Sequence, residues 1–174
     1  MRKFFYRLLI SVTALIIVAA VNGPANAAVP DQVLGQGTFH AQATESFTDT
    51  TIRASATDST PGIGADASGT ISVSDAPSNN VAVHFEAAAF CVNADANRAV
   101  VVGTVTRGPD GTVGRTILVR VTDGGNEKDA PPDTAAFALS TLSPVEALAA
   151  GFCETNFADQ FTINSGQFIV RNGS

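Results

Sequence analysis

From residue 33 onward the chain runs in short stretches of alternating apolar and polar positions, separated by clusters of Gly, Pro, Asn and Asp. A period of two sends successive side chains to opposite faces of an extended strand, so each stretch predicts a strand with one buried and one wet face. "TISVSD" (70–75) sets Ile71 and Val73 among Ser and Thr. "VAVHFEAAAFCV" (81–92) carries Val81, Val83, Phe85, Ala87, Ala89 and Cys91 on one parity, predicted to face the core, and His84 and Glu86 on the other. Further strands are predicted at 33–42, 50–58, 98–107, 112–123, 134–141 and 166–171, with 61–69 as a loop and 76–80 as a turn. "NADAN" (93–97) reads as the turn before the Val-rich 98–107 strand, because Asn and Asp tolerate left-handed backbone. Eight or nine short strands with turn chemistry between them predict an all-β fold, an antiparallel sandwich or partly open barrel.

One segment breaks the alternation. "SPVEALAAG" offers Ser143 as N-cap, Pro144 at the first helical position, Glu146 three residues after the cap and Gly151 as the stop, which predicts a short helix over 144–150. At about two turns it is too short to stand alone and must dock on the sheet.

The first 27 residues have a different texture. Arg2, Lys3 and Arg7 precede an apolar run from Leu8 to Val21, followed by Ala25, Asn26 and Ala27 in a small-x-small arrangement, the pattern of a secretory signal peptide cleaved after Ala27. The apolar run falls short of the roughly 20 residues a spanning helix needs, and Asn22, Gly23 and Pro24 end it. The organisation expected is therefore a leader over 1–27, a short linker over 28–32 and one β-domain over 33–174, exported to the medium or the periplasm and without a membrane anchor once the leader is gone.

Removal of the leader leaves 7 Lys and Arg against 16 Asp and Glu, a formal charge of 7 − 16 = −9. A phosphate backbone requires a basic face, so nucleic acid is excluded as a partner. Every aromatic residue beyond the leader is Phe, with Tyr6 inside it and no Trp anywhere, which argues against a sugar platform built on stacked Trp or Tyr. Two cysteines in an exported chain, with none left over, predict one bridge, Cys91 to Cys153.

"CVNADANRAVVVGTVTR", "GRTILVRVTDGGNEKDAPPD", a late cysteine and the terminal "SGQFIVRN" together resemble the small secreted bacterial β-domain called the post-COAP domain. The resemblance spans most of residues 33–172. It is carried by the Gly-rich early strand Gly35-Gln36-Gly37-Thr38-Phe39, by Gly103, by Asp123 and Gly125, and by the closing strand with Gly166, Phe168 and Val170. The Gly-Asn of the family's first hairpin is replaced here by "DANR". The resemblance implies an extracellular β-fold without an established activity, and so carries over no catalytic residues.

Candidate chemistry is sparse. The loop "DGGNEKDAPPD" gathers Asp123, Asn126, Glu127, Asp129 and Asp133 as oxygen donors around Gly124 and Gly125, a composition suited to a weak calcium site, although Lys128 lies within it and the spacing is not that of an EF-hand. A solvated turn with Pro131 and Pro132 as a stiff exit explains the same residues. His40 and His84 are the only imidazoles, the bases available to a secreted hydrolase, but no Gly-x-Ser-x-Gly turn accompanies them, and His84 reads as a surface residue. Glu86 and Asp95 are the carboxylates a glycosidase would pair. Arg98, Arg107, Arg115 and Arg120 cluster near the central strands, and Arg115 shares the parity of Ile117 and Val119; either Gly114 marks a bulge that turns it outward, the favoured reading, or it pairs with a carboxylate at the sheet rim. "NGS" at Asn172 fits a glycosylation acceptor and is assigned no role. No cofactor motif is present. The expected function is an exported extracellular or cell-surface module with a binding or structural role and an unspecified partner, the alternatives being a hydrolase using His40 or His84 and a calcium-binding module.

Overall fold

The structure is a computed structural model that describes residues 29–43, 46–60, 66–76, 83–154 and 160–173. The expected leader over 1–27, most of the 61–69 loop, the 77–80 turn and the strand position of Val81 lie outside the described residues. The fold is of the expected class: the described residues form nine antiparallel strands in one continuous sheet, curled into a half-barrel, with one short helix. The strands are β1 (Asp31–Ala43), β2 (Ser46–Asp58), β3 (Ser68–Ala76), β4 (Val83–Asp95), β5 (Arg98–Arg107), β6 (Thr116–Thr122), β7 (Thr134–Ser140), β8 (Phe161–Thr162) and β9 (Ser165–Arg171), and α1 (Pro144–Ala149) follows β7. Their order across the sheet is β8-β7-β6-β5-β4-β3-β2-β1-β9. The two edge strands are thus consecutive in sequence, joined by only Ile163 and Asn164, and the sheet must bend round to bring its edges together.

The concave face holds the main core, with Val33, Phe39, Ile52, Ile71, Val73, Phe85, Val119 and Phe168 buried along the predicted parities. A second, smaller core lies on the opposite face of β4, β5 and β6, where Cys91, Val100, Val102, Leu118 and Cys153 pack with Phe90, Leu148 and Phe152. Cys91 therefore departs from the parity that places Phe85, Ala87 and Ala89 inside. The register of β4 against β5 shifts between Ala89 and Cys91, and the extra residue turns the cysteine to the outer side. There it meets Cys153 beneath the helix in the predicted disulfide. The bridge closes a separation of 62 residues, which chain entropy makes worth about 4 kcal/mol. Asn93 reinforces the junction by donating its side-chain amide to the Cys153 carbonyl at 2.7 Å.

α1 forms as its residues dictate. Ser143 caps the N-terminus in a complete capping box with Glu146, and Pro144 occupies the first turn. Ala150 is the C-cap and Gly151, at φ +76°, ends the helix; Phe152 N–H donates to the Ala147 carbonyl and Gly151 N–H to the Leu148 carbonyl, the paired bonds of a Schellman motif. Phe152 then packs against the outer core.

Several boundaries differ from expectation, among them the start of β2 at Ser46 and of β3 at Ser68, inside the expected 61–69 loop. The strand predicted over 112–123 starts only at Thr116, because Gly114, at φ +84°, and Arg115 form a bulge in which Gly114 N–H donates to Val105 O and Arg115 O accepts from Val105 N–H. Arg115 lies opposite Val105 at this bulge and is half-buried. The 93–97 turn is tighter than its composition suggests. β4 continues to Asp95, leaving Ala96 and Asn97 as a two-residue hairpin turn, and the left-handed residue is Ala96 at φ 53°, not Asn or Asp. The domain also takes in part of the expected linker, since β1 begins at Asp31.

Candidate functional site

The loop between β6 and β7, residues 123–133, faces the open side of the half-barrel. Gly124 permits its turn, because a Cβ there would lie 1.8 Å from the Pro131 carbonyl oxygen. Asp123 accepts the Gly125 N–H at 2.8 Å, and Asp133 accepts the Gly124 N–H at 2.8 Å, so the two carboxylates fold the loop onto itself. Their second oxygens reach across to β9: Asp133 accepts the Phe168 N–H at 2.6 Å, and Asp123 the Val170 N–H at 3.2 Å. Asp133 also contributes its carbonyl to the Ile163 N–H at 2.8 Å. Asp31 does the same at the end of the sheet, taking the Ala94 N–H at 3.0 Å and the Gly173 N–H at 2.7 Å while almost wholly buried. Where strand ladders give out, charged acceptors satisfy the backbone donors instead, each bond contributing about 1.5–3 kcal/mol.

This arrangement bears on the calcium reading. Of the five predicted donors, Asp123 and Asp133 are engaged by backbone N–H groups, Asn126 accepts the side-chain amide of Gln167, and Glu127 and Asp129 are exposed. Among the described residues no group of three or more His, Cys, Asp or Glu side chains is placed to hold a metal ion. The loop forms one wall of a polar cleft of about 290 Å³, whose other wall is the turn between β8 and β9. Asn126, Glu127, Asn164, Ser165 and Gln167 line it, with Asp133 at its base. Glu127, Asn164 and Ser165 are exposed there, and the backbone around them is pinned through Asp133 and by Asn164 N–H donating to Thr38 O at 2.8 Å. Sequence reasoning located the loop but missed Asn164, Ser165 and Gln167, which lie some 40 residues away and join it only because the sheet curls.

The histidines lie elsewhere. His40 on β1 pairs directly with Asp49 on β2, both well exposed. His84 sits on the outer face of β4, as its parity predicts, in a row running across three strands. Its Nδ1 is 2.8 Å from Ser74 Oγ, its Nε2 is 3.2 Å from Glu86 Oε1, and Arg107 Nη1 lies 3.7 Å from the same carboxylate oxygen. A hydroxyl, an imidazole and a carboxylate in sequence have the connectivity of an activated nucleophile. Here the three are partly exposed on a sheet surface, and Ser74 lies within the ladder between Thr51 and His84. The row flanks a wide hollow of about 540 Å³ that also carries Arg53, Thr70 and Thr106. Asp95, the other carboxylate considered for glycosidase chemistry, stands at the β4–β5 hairpin tip.

The described residues contain no helix long and apolar enough to cross a membrane. Compared with family models, curated proteins and solved structures, the chain gives no match.

Proposed function

We propose that this chain is an exported β-module, of the kind the post-COAP resemblance implies, that acts by binding at the cell surface or in the extracellular space through the cleft between the 123–133 loop and the β8–β9 turn. The observation that carries this reading is the combination of rigid backbone walls with uncommitted polar side chains: Asp133 spends its carboxylate on holding the walls, and leaves Glu127, Asn164 and Ser165 free to meet a ligand. Pre-formed walls reduce the ordering cost of binding. The lining suits a small ligand rich in hydrogen-bond donors, a polyhydroxyl or amino compound. Export is supported by the leader pattern over 1–27 and by a disulfide that persists only in an oxidising compartment.

Expressed with its leader in a secreting host, the protein is expected to have a mass beginning at Ala28 and two hydrogens short of the dithiol form. The mature protein, titrated by thermal shift with oligosaccharides, polyamines and calcium, should gain melting temperature with one of the organic classes, and Glu127→Ala with Asn164→Ala should abolish the gain without altering the unliganded melt. A chain that keeps its leader inside the cell, or no shift with any organic probe, defeats the reading. A rise with calcium alone transfers the site to the metal reading of the same loop.

A second reading rests on the contacts of Ser74, His84 and Glu86, which would serve a secreted hydrolase. Ester hydrolysis by the wild type that His84→Ala and Ser74→Ala both abolish establishes it; activity that survives either substitution, or none in the wild type, removes it.

A further inference from the structure

Beyond the polar cleft, one half-buried charged side chain beside a cavity has a buried nitrogen that makes no hydrogen bond. Arg120 lies on the outer side of β6, in register with Val100 of β5 and Ala136 of β7, next to Leu118. Its Nε is buried and makes no hydrogen bond, and among the described residues Arg120 has no ion pair. The reason it is left so is visible in the topology. β8 pairs only with Thr134 and Ala135, so beyond that point the edge of β7 opposite β6 has no strand partner among the described residues, and a notch opens there.

The notch has a volume of about 150 Å³ and is lined by Leu118, Arg120, Ala136, Phe137, Ala138 and Phe161. Apart from the guanidinium its side chains are apolar. Phe161 forms a fixed wall, since its ring stacks on the fully buried Phe39 with centroids 5.1 Å apart. A wider cleft of about 490 Å³ continues from the same Leu118, Arg120 and Ala138 towards Phe152 and Glu154. Negative charge thus stands at the far mouth and positive charge at the junction of the two spaces.

We propose that this notch binds a small carboxylate with a short apolar chain, the carboxylate on Arg120 and the chain against Phe161 and Ala138. The buried Nε of this half-buried guanidinium lacks an acceptor, and the planar fork matches a carboxylate in two parallel bonds. The alkyl chain takes the place of water on the surrounding apolar side chains. Glu154 opposes an anion at the other end of the wider cleft and so sets the direction in which the ligand lies. This site shares no residue with the polar cleft and does not depend on it.

The test is calorimetric titration of the mature, oxidised protein with hexanoate, hexanol and hexylamine. Hexanoate is expected to bind at least tenfold more tightly than hexanol, and hexylamine more weakly than either. Arg120→Gln should reduce hexanoate to the hexanol level. Ala138→Phe, which fills the notch and leaves the charge, should weaken both. Equal affinity for hexanoate and hexanol, absence of hexanoate binding, or hexanoate affinity unchanged by Arg120→Gln overturns the site. If Arg120→Gln does not give the wild-type circular dichroism spectrum, Ala138→Phe decides: retained hexanoate affinity overturns the proposal, and its loss supports it.

Discussion

At the residue scale, the most conspicuous feature is that polar side chains serve backbone needs that no strand supplies. Asp31, Asp123 and Asp133 each accept two backbone N–H groups. Asp58 is less well provided. It is fully buried opposite Asp31, with one oxygen on the Thr60 N–H and the other unpaired. Ala96 shows the opposite economy, since an L-residue holds a left-handed backbone with nothing but hairpin closure to keep it there. The left-handed conformation costs a residue with a Cβ about 1–2 kcal/mol, part of which glycine's greater freedom in the unfolded chain takes back. Ala96→Gly is therefore expected to stabilise the protein by about 0.5–1 kcal/mol in urea unfolding, with no change in the slope. The turn itself was legible in "NADAN", but which residue would be left-handed was not, because that depends on where the ladder between β4 and β5 ends.

At the element scale, α1 is the part most completely written in local sequence. Cap, first-turn proline, box glutamate and stop glycine all occupy their predicted places, because each acts over three or four residues. The hydrogen bond from the Ser143 hydroxyl, followed by that from the Ser143 backbone N–H, holds the Glu146 carboxyl below its ordinary value of 4.5. A carboxyl whose pKa falls on folding adds stability that is complete above the unfolded value and is lost as pH drops through the folded one. Ser143→Ala is expected to cost about 1 kcal/mol near neutral pH. The difference from wild type should narrow below the ordinary glutamate value, as thermal melts at pH 6 and pH 3 would reveal. β4 is the contrasting case. Its alternation is readable as far as Ala89, but the bulge that follows is not, and it alone carries Cys91 to the outer face where the disulfide and helix meet.

At the scale of the whole molecule, the half-barrel is held across its open side by carboxylates. Asp133→Asn retains one acceptor oxygen but sets an N–H₂ group against a backbone donor, so a loss of about 2–4 kcal/mol is expected from charged-acceptor bonds of this kind. Hydrogen exchange should localise the damage. The Phe168 and Val170 amides should exchange faster while those of β5 and β6 keep their protection, and uniform protection in the variant would show that Asp133 does not close the seam.

The all-β class, the strand spacing, the helix and the pairing of the only two cysteines were determined by the sequence itself, since periodicity, capping and thiol count are local or compositional. The 123–133 loop was likewise visible as an acidic, glycine-containing segment. What its aspartates do was decided only by the tertiary structure. Curling of the sheet brings β9 to within hydrogen-bonding distance of a loop some 40 residues earlier, and that proximity makes Asp123 and Asp133 acceptors for backbone N–H groups. The same holds for Arg120: its charge is written in the chain, but its place on the wall of an apolar notch follows from a two-residue β8 that leaves the edge of β7 open. Side-chain type is a property of the sequence. Which groups lose water together is a property of long-range packing, and here that settled where uncommitted polar and charged groups remain.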